Sequence, residues 1–421
     1  MNKYKKSIQK RYAAETRFRW YGRLAVGTGI MTITFLLYTI FSAGHTAFDR
    51  TRVAVDLIIK LEMMRLEMPV TSKKLKKADT LYLLRSNLVK SYPEVKNRKM
   101  RRELFLMFSS VAPDEIRDWI LSHPASIGST QRIWVTASSK FDQIFKGNAP
   151  REIDEKRRLL SNYQLKLLDS WNTEGRIRND FNWEFFSHGD SSSPEIAGIG
   201  GAIVGSVWTL LVCLILSFPI GVAASVYLEE FAPKNRWTEF VEININNLAA
   251  VPSIIFGLLG LAVILNYFGM PRGTPLSGGI VLSLMTMPTI IIASRSALKA
   301  VPPSVREAAL AMGASPVQVV LHHVLPLAMP GTLTGTIIGL AQALGETAPL
   351  LMIGMFAFVV DIPQSPLEPS AALPVQIYLW AESAERGFVE KTAAAIMAIL
   401  IFLIFMNALA VLLRKHYERR W

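Results

Sequence analysis

The stretch Ile196–Leu228, IAGIGGAIVGSVWTLLVCLILSFPIGVAASVYL, contains no Asp, Glu, Lys or Arg. A hydrocarbon core about 30 Å thick takes roughly 20 helical residues to cross, so this run is long enough for a membrane span. Gly198, Gly200, Gly201 and Gly205 at its start and Pro219 inside it suit a helix packed among others in lipid, where small residues allow close approach and proline bends the axis. Leu24–Ala47, Ile243–Pro271, Gly273–Ser294, Val324–Gly345 and Thr392–Leu413 are likewise free of charged side chains, whereas residues 45–195 are charged throughout. The expected fold is an all-α polytopic membrane protein with six predicted transmembrane helices and an α+β soluble domain inserted between the first and second. In residue numbers, 1–23 is a basic leader, 24–44 the first span and 45–195 the inserted domain. Residues 196–421 hold the other five spans, with a loop at 301–326.

The formal charge of +13 on 421 residues could suggest nucleic-acid binding, but its placement reads as topology. Lys3, Lys5, Lys6, Lys10, Arg11, Arg17, Arg19 and Arg23 precede the first span. If they are cytoplasmic, the later inside segments carry Lys234 and Arg236, then Arg295, Lys299 and Arg306, then Arg414, Lys415, Arg419 and Arg420. The short outside loops hold only Arg272, Arg386 and Lys391. That asymmetry is the positive-inside rule, so both termini are expected in the cytoplasm and residues 45–195 outside the membrane. The leader is long for a signal peptide, so the first span is expected to be a retained anchor. The single cysteine, Cys213, falls inside a span, and the external region must be held without disulfides.

Within that region Thr51–Ile59 alternates like a strand and Ile133–Val135 could add another, while Leu81–Val89, Arg102–Ser109 and Arg151–Glu174 have helical spacing. His188–Pro194 reads as a loop. No metal-ligand cluster, nucleophile elbow or phosphate loop can be read from the sequence, so no catalytic residue, metal or cofactor is assigned.

Between the fourth and fifth spans runs Val301-Pro-Pro-Ser304-Val-Arg-Glu307-Ala308-Ala309, then Gly313, Ser315-Pro316, His322-His323 and Leu325-Pro326. Ser304 with Glu307 three residues on predicts a capping box, Gly313 a left-handed helix end, and Ser315–Pro316 a second helix start. Two short helices joined at a glycine are expected, with Leu325–Pro326 turning the chain into the membrane. A plain re-entry loop is the alternative. The order Glu-Ala-Ala, three residues, Gly, nine residues, His323, one residue, Leu-Pro resembles the EAA loop of binding-protein-dependent ABC importer permeases, with His323 where the family usually has an aliphatic residue. The resemblance implies that Glu307, Ala308, Ala309 and Gly313 dock a separate ATP-binding subunit, present as a homodimer. No G-x-x-x-x-G-K-[ST] occurs in this chain, so the motor is expected on another protein.

Gly345-Glu346-Thr347-Ala348-Pro349 at the far end of the fifth span, with Pro219-Ile220-Gly221, Tyr227-Leu228-Glu229-Glu230 and Asn244, Asn246 and Asn247, resembles the PstA type of phosphate importer permease over Gly198–Trp421. That resemblance implies phosphate as solute, a second and non-identical permease subunit, a periplasmic phosphate-binding protein, and an inner-membrane site among lipid with no nucleic-acid partner. Another oxyanion (sulfate or molybdate) or an ion-gradient mechanism stays open. A carboxylate inside a membrane helix is expensive, which makes Glu346 with Thr347 a candidate for the translocation path. Arg295 and Gln342 join them as candidates, Gln342 standing where many relatives carry a basic residue. Arg295 could meet Glu346 only if the fifth helix starts late and runs on towards Val360. Glu346 and Thr347 satisfying each other at a proline kink is the alternative.

Overall fold

The computed structural model describes residues 2–66, 72–356 and 358–417; Arg419 and Arg420, counted in the charge pattern, lie outside them. The chain is mostly helical, with five helices long and apolar enough to span a membrane and a bent pair that could make a sixth. The first, α1 (Asn2–Gly44), runs unbroken through the basic leader into the first window. It meets the last helix at Gly44, where a Cβ would stand 2.8 Å from the backbone nitrogen of Ala394. Any side chain there would force the two helices apart.

After α1 the chain enters a three-stranded antiparallel sheet with β1 (Asp49–Ile58) between β2 (Thr130–Thr136) and β3 (Ile177–Phe181). Val53 pairs with Val135 and Val55 with Ile133, so the apolar faces of β1 and β2 coincide. Helices α2 (Thr80–Ser91), α3 (Arg98–Phe105), α4 (Ala112–Ser122), α5 (Ser139–Phe145) and α6 (Asn162–Thr173) belong to the same region. Leu83, Leu104, Ile116, Phe141 and Trp171 pack with Val53, Val55 and Leu57 as one buried core. The other face of β1 is charged: Asp56 takes hydrogen bonds from Arg132 at 2.8 and 3.2 Å. That pairing holds the Asp56 carboxyl below its ordinary pKa.

Two helical expectations shrink. Arg102–Ser109 ends as a helix at Phe105, because Phe108 pairs with Ala137 beside the sheet and the Ser109 amide donates to Thr136. Of Arg151–Glu174 only Asn162–Thr173 is a regular α-helix. Ser161 and Gln164 form a capping box that fixes its start, and Pro150 precedes an irregular stretch held by Arg158 and Glu155. His188–Pro194 is a loop, as its composition indicates. β3 went unread.

The membrane portion follows: α7 (Gly200–Val226, extended as a π-helix to Phe231), α8 (Arg236–Ala249), α9 (Ser253–Leu259, extended as a π-helix to Tyr267) and α10 (Pro275–Lys299). The third window does not form a straight span. Its halves meet at 103° around Val251–Pro252. Proline supplies no amide hydrogen, and it disfavours helical backbone in the residue before it, so α8 ends there. Beyond the elbow described below, Pro316–Gly345 runs as one helix, α12, with α13 (Ala348–Met352), α14 (Leu373–Ala381) and α15 (Gly387–Tyr417) after it. α10 packs between α7 and α12. A Cβ on Gly335 of α12 would come within 2.1 Å of Ala293 Cβ, so that crossing depends on glycine.

At the junction of the sheet and α15 lies a sealed polar cluster. Lys146 reaches Asp142 at 2.8 Å and Glu390 at 3.7 Å, and Thr46 and Asn148 donate to Glu390 at 2.7 and 2.8 Å. Lys391 is buried against the face of Phe185 at 4.8 Å. Nearby Glu195 accepts from Ser109 at 2.8 Å, and burial pushes its carboxyl up from the ordinary value.

Candidate functional site: a clamped elbow

The elbow starts with α11 (Pro303–Ala311), after α10. Its N-cap is Pro302, with no side-chain capping bond, so Ser304 does not cap the helix and the expected Ser304–Glu307 box does not form. Two prolines explain this. Pro302 takes extended backbone (φ −58°, ψ 141°), and Pro303 fits the first helical turn, where an amide hydrogen would lack a partner anyway. The far end follows the expected reading. Gly313 is left-handed at φ +85°, its amide donates to Leu310 at 2.9 Å and that of Ala314 to Ala309 at 3.2 Å, the paired bonds of a Schellman end. Ser315 caps the next helix, completing a reciprocal box with Gln318.

That second helix is not short. It continues through a π turn at Val320–Val324 into Leu325–Gly345, so Leu325–Pro326 lies inside α12 instead of turning the chain. Proline breaks the regular bonding pattern of a helix, and a wider π turn just ahead of Pro326 accommodates that loss.

Ala309 is buried under the elbow with Leu298, Val301, Val319, Val324 and Ala328. Glu307, Ala308 and Gly313 face outward. Met312 is 89% exposed and Leu310 50%, an apolar surface that a partner could cover. Arg306 anchors the elbow to the spans. Its Nη2 and Nε donate to the two oxygens of Glu230 at 2.6 and 3.2 Å. Its Nη1 and Nη2 also donate to the carbonyls of Val301 and Leu298 at 2.7 and 3.0 Å. The Glu230 carboxylate raises the Arg306 pKa further above its ordinary value, so this clamp stays charged. Beside it, Glu229 meets Arg295 at 3.4 Å and Lys299 at 3.5 Å, and Arg295 reaches Glu242 of α8 at 2.7 Å. One charged network thus ties α7, α8, α10 and α11 together.

The Arg295–Glu346 pairing does not form. α12 starts early and ends at Gly345, so Glu346 lies at the end remote from the elbow, while Arg295 is held by Glu229 and Glu242. Glu346 is half-buried between α12 and α13, and no hydrogen bond links its carboxylate to Thr347 or to any other described residue. Gln342 is exposed one turn earlier on the same side of α12 as Ile338 and Gly345. Glu229 and Glu230, part of the family resemblance in sequence, carry a role that becomes visible in the fold. The available signal was charge: two adjacent carboxylates close α7 at the end where Arg295, Lys299 and Arg306 cluster.

Residues 217–421 match the family described as binding-protein-dependent transport system inner membrane component, and residues 5–155 match a domain of unknown function (DUF3333). The phosphate transport system permease protein PstA 2 of Mycobacterium bovis is 31% identical over 242 residues, which are 57% of this chain and 79% of that protein. The chain belongs to the PstA permease family. The probable PstA of Methanocaldococcus jannaschii is 31% identical over 50% of this chain and 74% of its own length. The probable ABC transporter permease YqgI of Bacillus subtilis is 30% identical over 41% of this chain, and the match spans 58% of that relative. A solved inward-facing MetNI methionine ABC transporter aligns at a TM-score of 0.43 and 21% identity, over 51% of this chain and 95% of its own.

Proposed function

We propose that this chain is a membrane permease subunit of an ATP-driven, binding-protein-dependent phosphate importer. The observation that carries the reading is the elbow: an exposed Glu307–Ala308 face on a helix fixed to the spans by Arg306 and Glu230. A separate ATP-binding homodimer presses on that face, and its closure moves α7, α8 and α10 through the charged network. The elbow and both termini lie in the cytoplasm and residues 45–195 outside the inner membrane, with the bent pair α8–α9 counted as the third of six spans. The domains follow the same division, with the importer permease unit at 196–421.

Phosphate is the solute we propose, because PstA 2 of Mycobacterium bovis and the probable PstA of Methanocaldococcus jannaschii are phosphate permeases by name. A second, non-identical permease closes the path, and a periplasmic phosphate-binding protein delivers the ion. Gln342, Glu346 and Thr347 line that path: an unpaired carboxylate in lipid is costly, so the Glu346 segment faces water or the second subunit. Glu346 alone would repel an anion, so hydrogen-bond donors such as Gln342 must offset it.

Glu307→Lys tests the motor-docking claim. Labelled phosphate uptake and co-purification of an ATP-binding subunit are both expected to fall, with thermal unfolding of the permease unchanged. Normal uptake with an intact complex would overturn the docking assignment. Competition by sulfate and molybdate against labelled phosphate tests the solute. Equal competition by either would replace phosphate with a general oxyanion.

A further inference from the structure

The inserted domain carries a cleft of about 950 Å³ between α2 and α3, open to the surface. Its walls bear Arg85, Arg98, Lys99, Arg101 and Arg102, and no Asp or Glu lines it. Its floor is apolar: Leu84, Leu88 and Phe108 are buried there, while Leu81 and Leu106 stand exposed at the lip. Arg85 lies over the ring of Phe105 at 5.3 Å, which holds its guanidinium at the rim. Arg85, Arg98 and Arg102 pair with no carboxylate among the described residues.

α3 itself breaks local rules to present these charges. Arg98 and Lys99 sit in the first turn, where the helix dipole favours anions. Arg98 and Arg102 are four residues apart, a spacing at which like charges repel. The internal relief is slight: Lys99 meets Glu103 at 3.9 Å with the lysine 82% exposed, and Arg101 donates to the Val95 carbonyl. A sequence that accepts such a conflict without resolving it within the chain does so where a ligand resolves it.

We infer that the cleft between α2 and α3 binds an acidic segment of a partner protein, with an apolar side chain on the Leu84–Leu88–Phe108 floor and carboxylates on Arg98 and Arg102. Arginine forks match carboxylates in pairs, and the four-residue spacing presents two of them along one ligand. A protein segment fits better than lipid, because α2 and α3 make their main contacts with the turn at Glu62–Met64, β1, α4 and α6, all within the inserted domain. The cleft is therefore filled from water. The inference holds whichever solute the permease carries.

The test uses the full chain in phosphatidylcholine nanodiscs and a fluorescein-labelled peptide, Glu-Leu-Glu-Asp-Phe-Leu-Glu-Glu. Saturable binding is expected. R98E/R102E should weaken it about tenfold or more, and R98Q/R102Q, which removes the two charges without adding opposite ones, about threefold or more. A peptide with serine in place of Leu and Phe should bind much more weakly. No binding, equal binding of the serine peptide, or binding unmoved by both double variants would overturn the site. Flotation with phosphatidylglycerol vesicles that depends on Arg98 and Arg102, without peptide binding, would replace the protein partner with a membrane surface.

Discussion

At the elbow end of the spans, Glu229 and Glu230 hold Arg295, Lys299 and Arg306 while several of these side chains keep contact with water; Lys299 is 59% exposed. At the sheet end, Lys146 and Glu390 meet with only 4% and 5% of their side chains exposed, and Asp142 and Lys391 are sealed beside them. Both clusters join helices far apart in sequence, but water separates their behaviour. A partly wet network exchanges partners cheaply, because solvent takes over any bond that opens. A sealed one cannot, because each opened pair leaves a charge in a medium that does not solvate it. Under the proposed function, the elbow can therefore shift as a motor closes, whereas the sheet and α15 move as one piece.

The largest effect is expected where the seal is broken. Lys146→Met removes the cation between Asp142 and Glu390 and should destabilise the chain by about 3–5 kcal/mol, seen as a large drop in thermal midpoint in detergent. Adding Glu390→Gln should recover much of that loss, since it removes one of the stranded carboxylates. A small effect of Lys146→Met would mean that water reaches the junction and that the contrast between the two ends is wrong.

Arg306→Lys attacks the other cluster. Lysine keeps the charge but loses the fork on Glu230 and the paired carbonyl bonds, so a loss of about 2 kcal/mol is expected in elbow rigidity and less in global unfolding. Under the proposed function, phosphate uptake should fall more than stability does. If the two fall together, the elbow is a structural brace and not a moving contact. Gly313→Ala should cost about 1 kcal/mol from forcing a side chain into left-handed backbone, loosening the elbow without touching any charge. Hydrogen exchange at Ala314, whose amide closes that helix end, would report it.

The division between wet and dry regions governs what the sequence disclosed. Charge-free windows placed the long helices, because lipid allows few exceptions, and Gly313 and Ser315 announced their turns through backbone chemistry that acts locally. Ser304 misled because two prolines upstream decided the helix start first. The 103° bend at Val251–Pro252 was hidden inside a uniformly apolar run, where hydropathy says nothing about direction. The Arg306–Glu230 clamp joins positions 76 residues apart, so no local pattern encodes it. Lys391 counts as an outside-loop residue in the charge pattern, but it lies inside α15, and folding the sheet against α15 buries it with Glu390.

The smallest expected effect separates the two ends by pH. Glu195 is held near the sealed junction with its carboxyl pushed up by burial, so the folded chain binds its proton more tightly than the unfolded chain does. Its contribution to stability is then greatest below the ordinary glutamate range and declines as pH rises through the raised folded value. Glu195→Gln is neutral throughout and removes that decline. At neutral pH the variant should be equal to the wild type or slightly more stable, and in mild acid the two should converge. Asp56 sets the opposite slope, since Arg132 lowers its pKa and its contribution is lost as pH falls through the folded value. Asp56→Asn in the same background therefore isolates the Glu195 slope in thermal midpoints measured across the acid range. If Glu195→Gln leaves that slope unchanged, the carboxyl is solvated and the seal stops short of the loop that leads into α7.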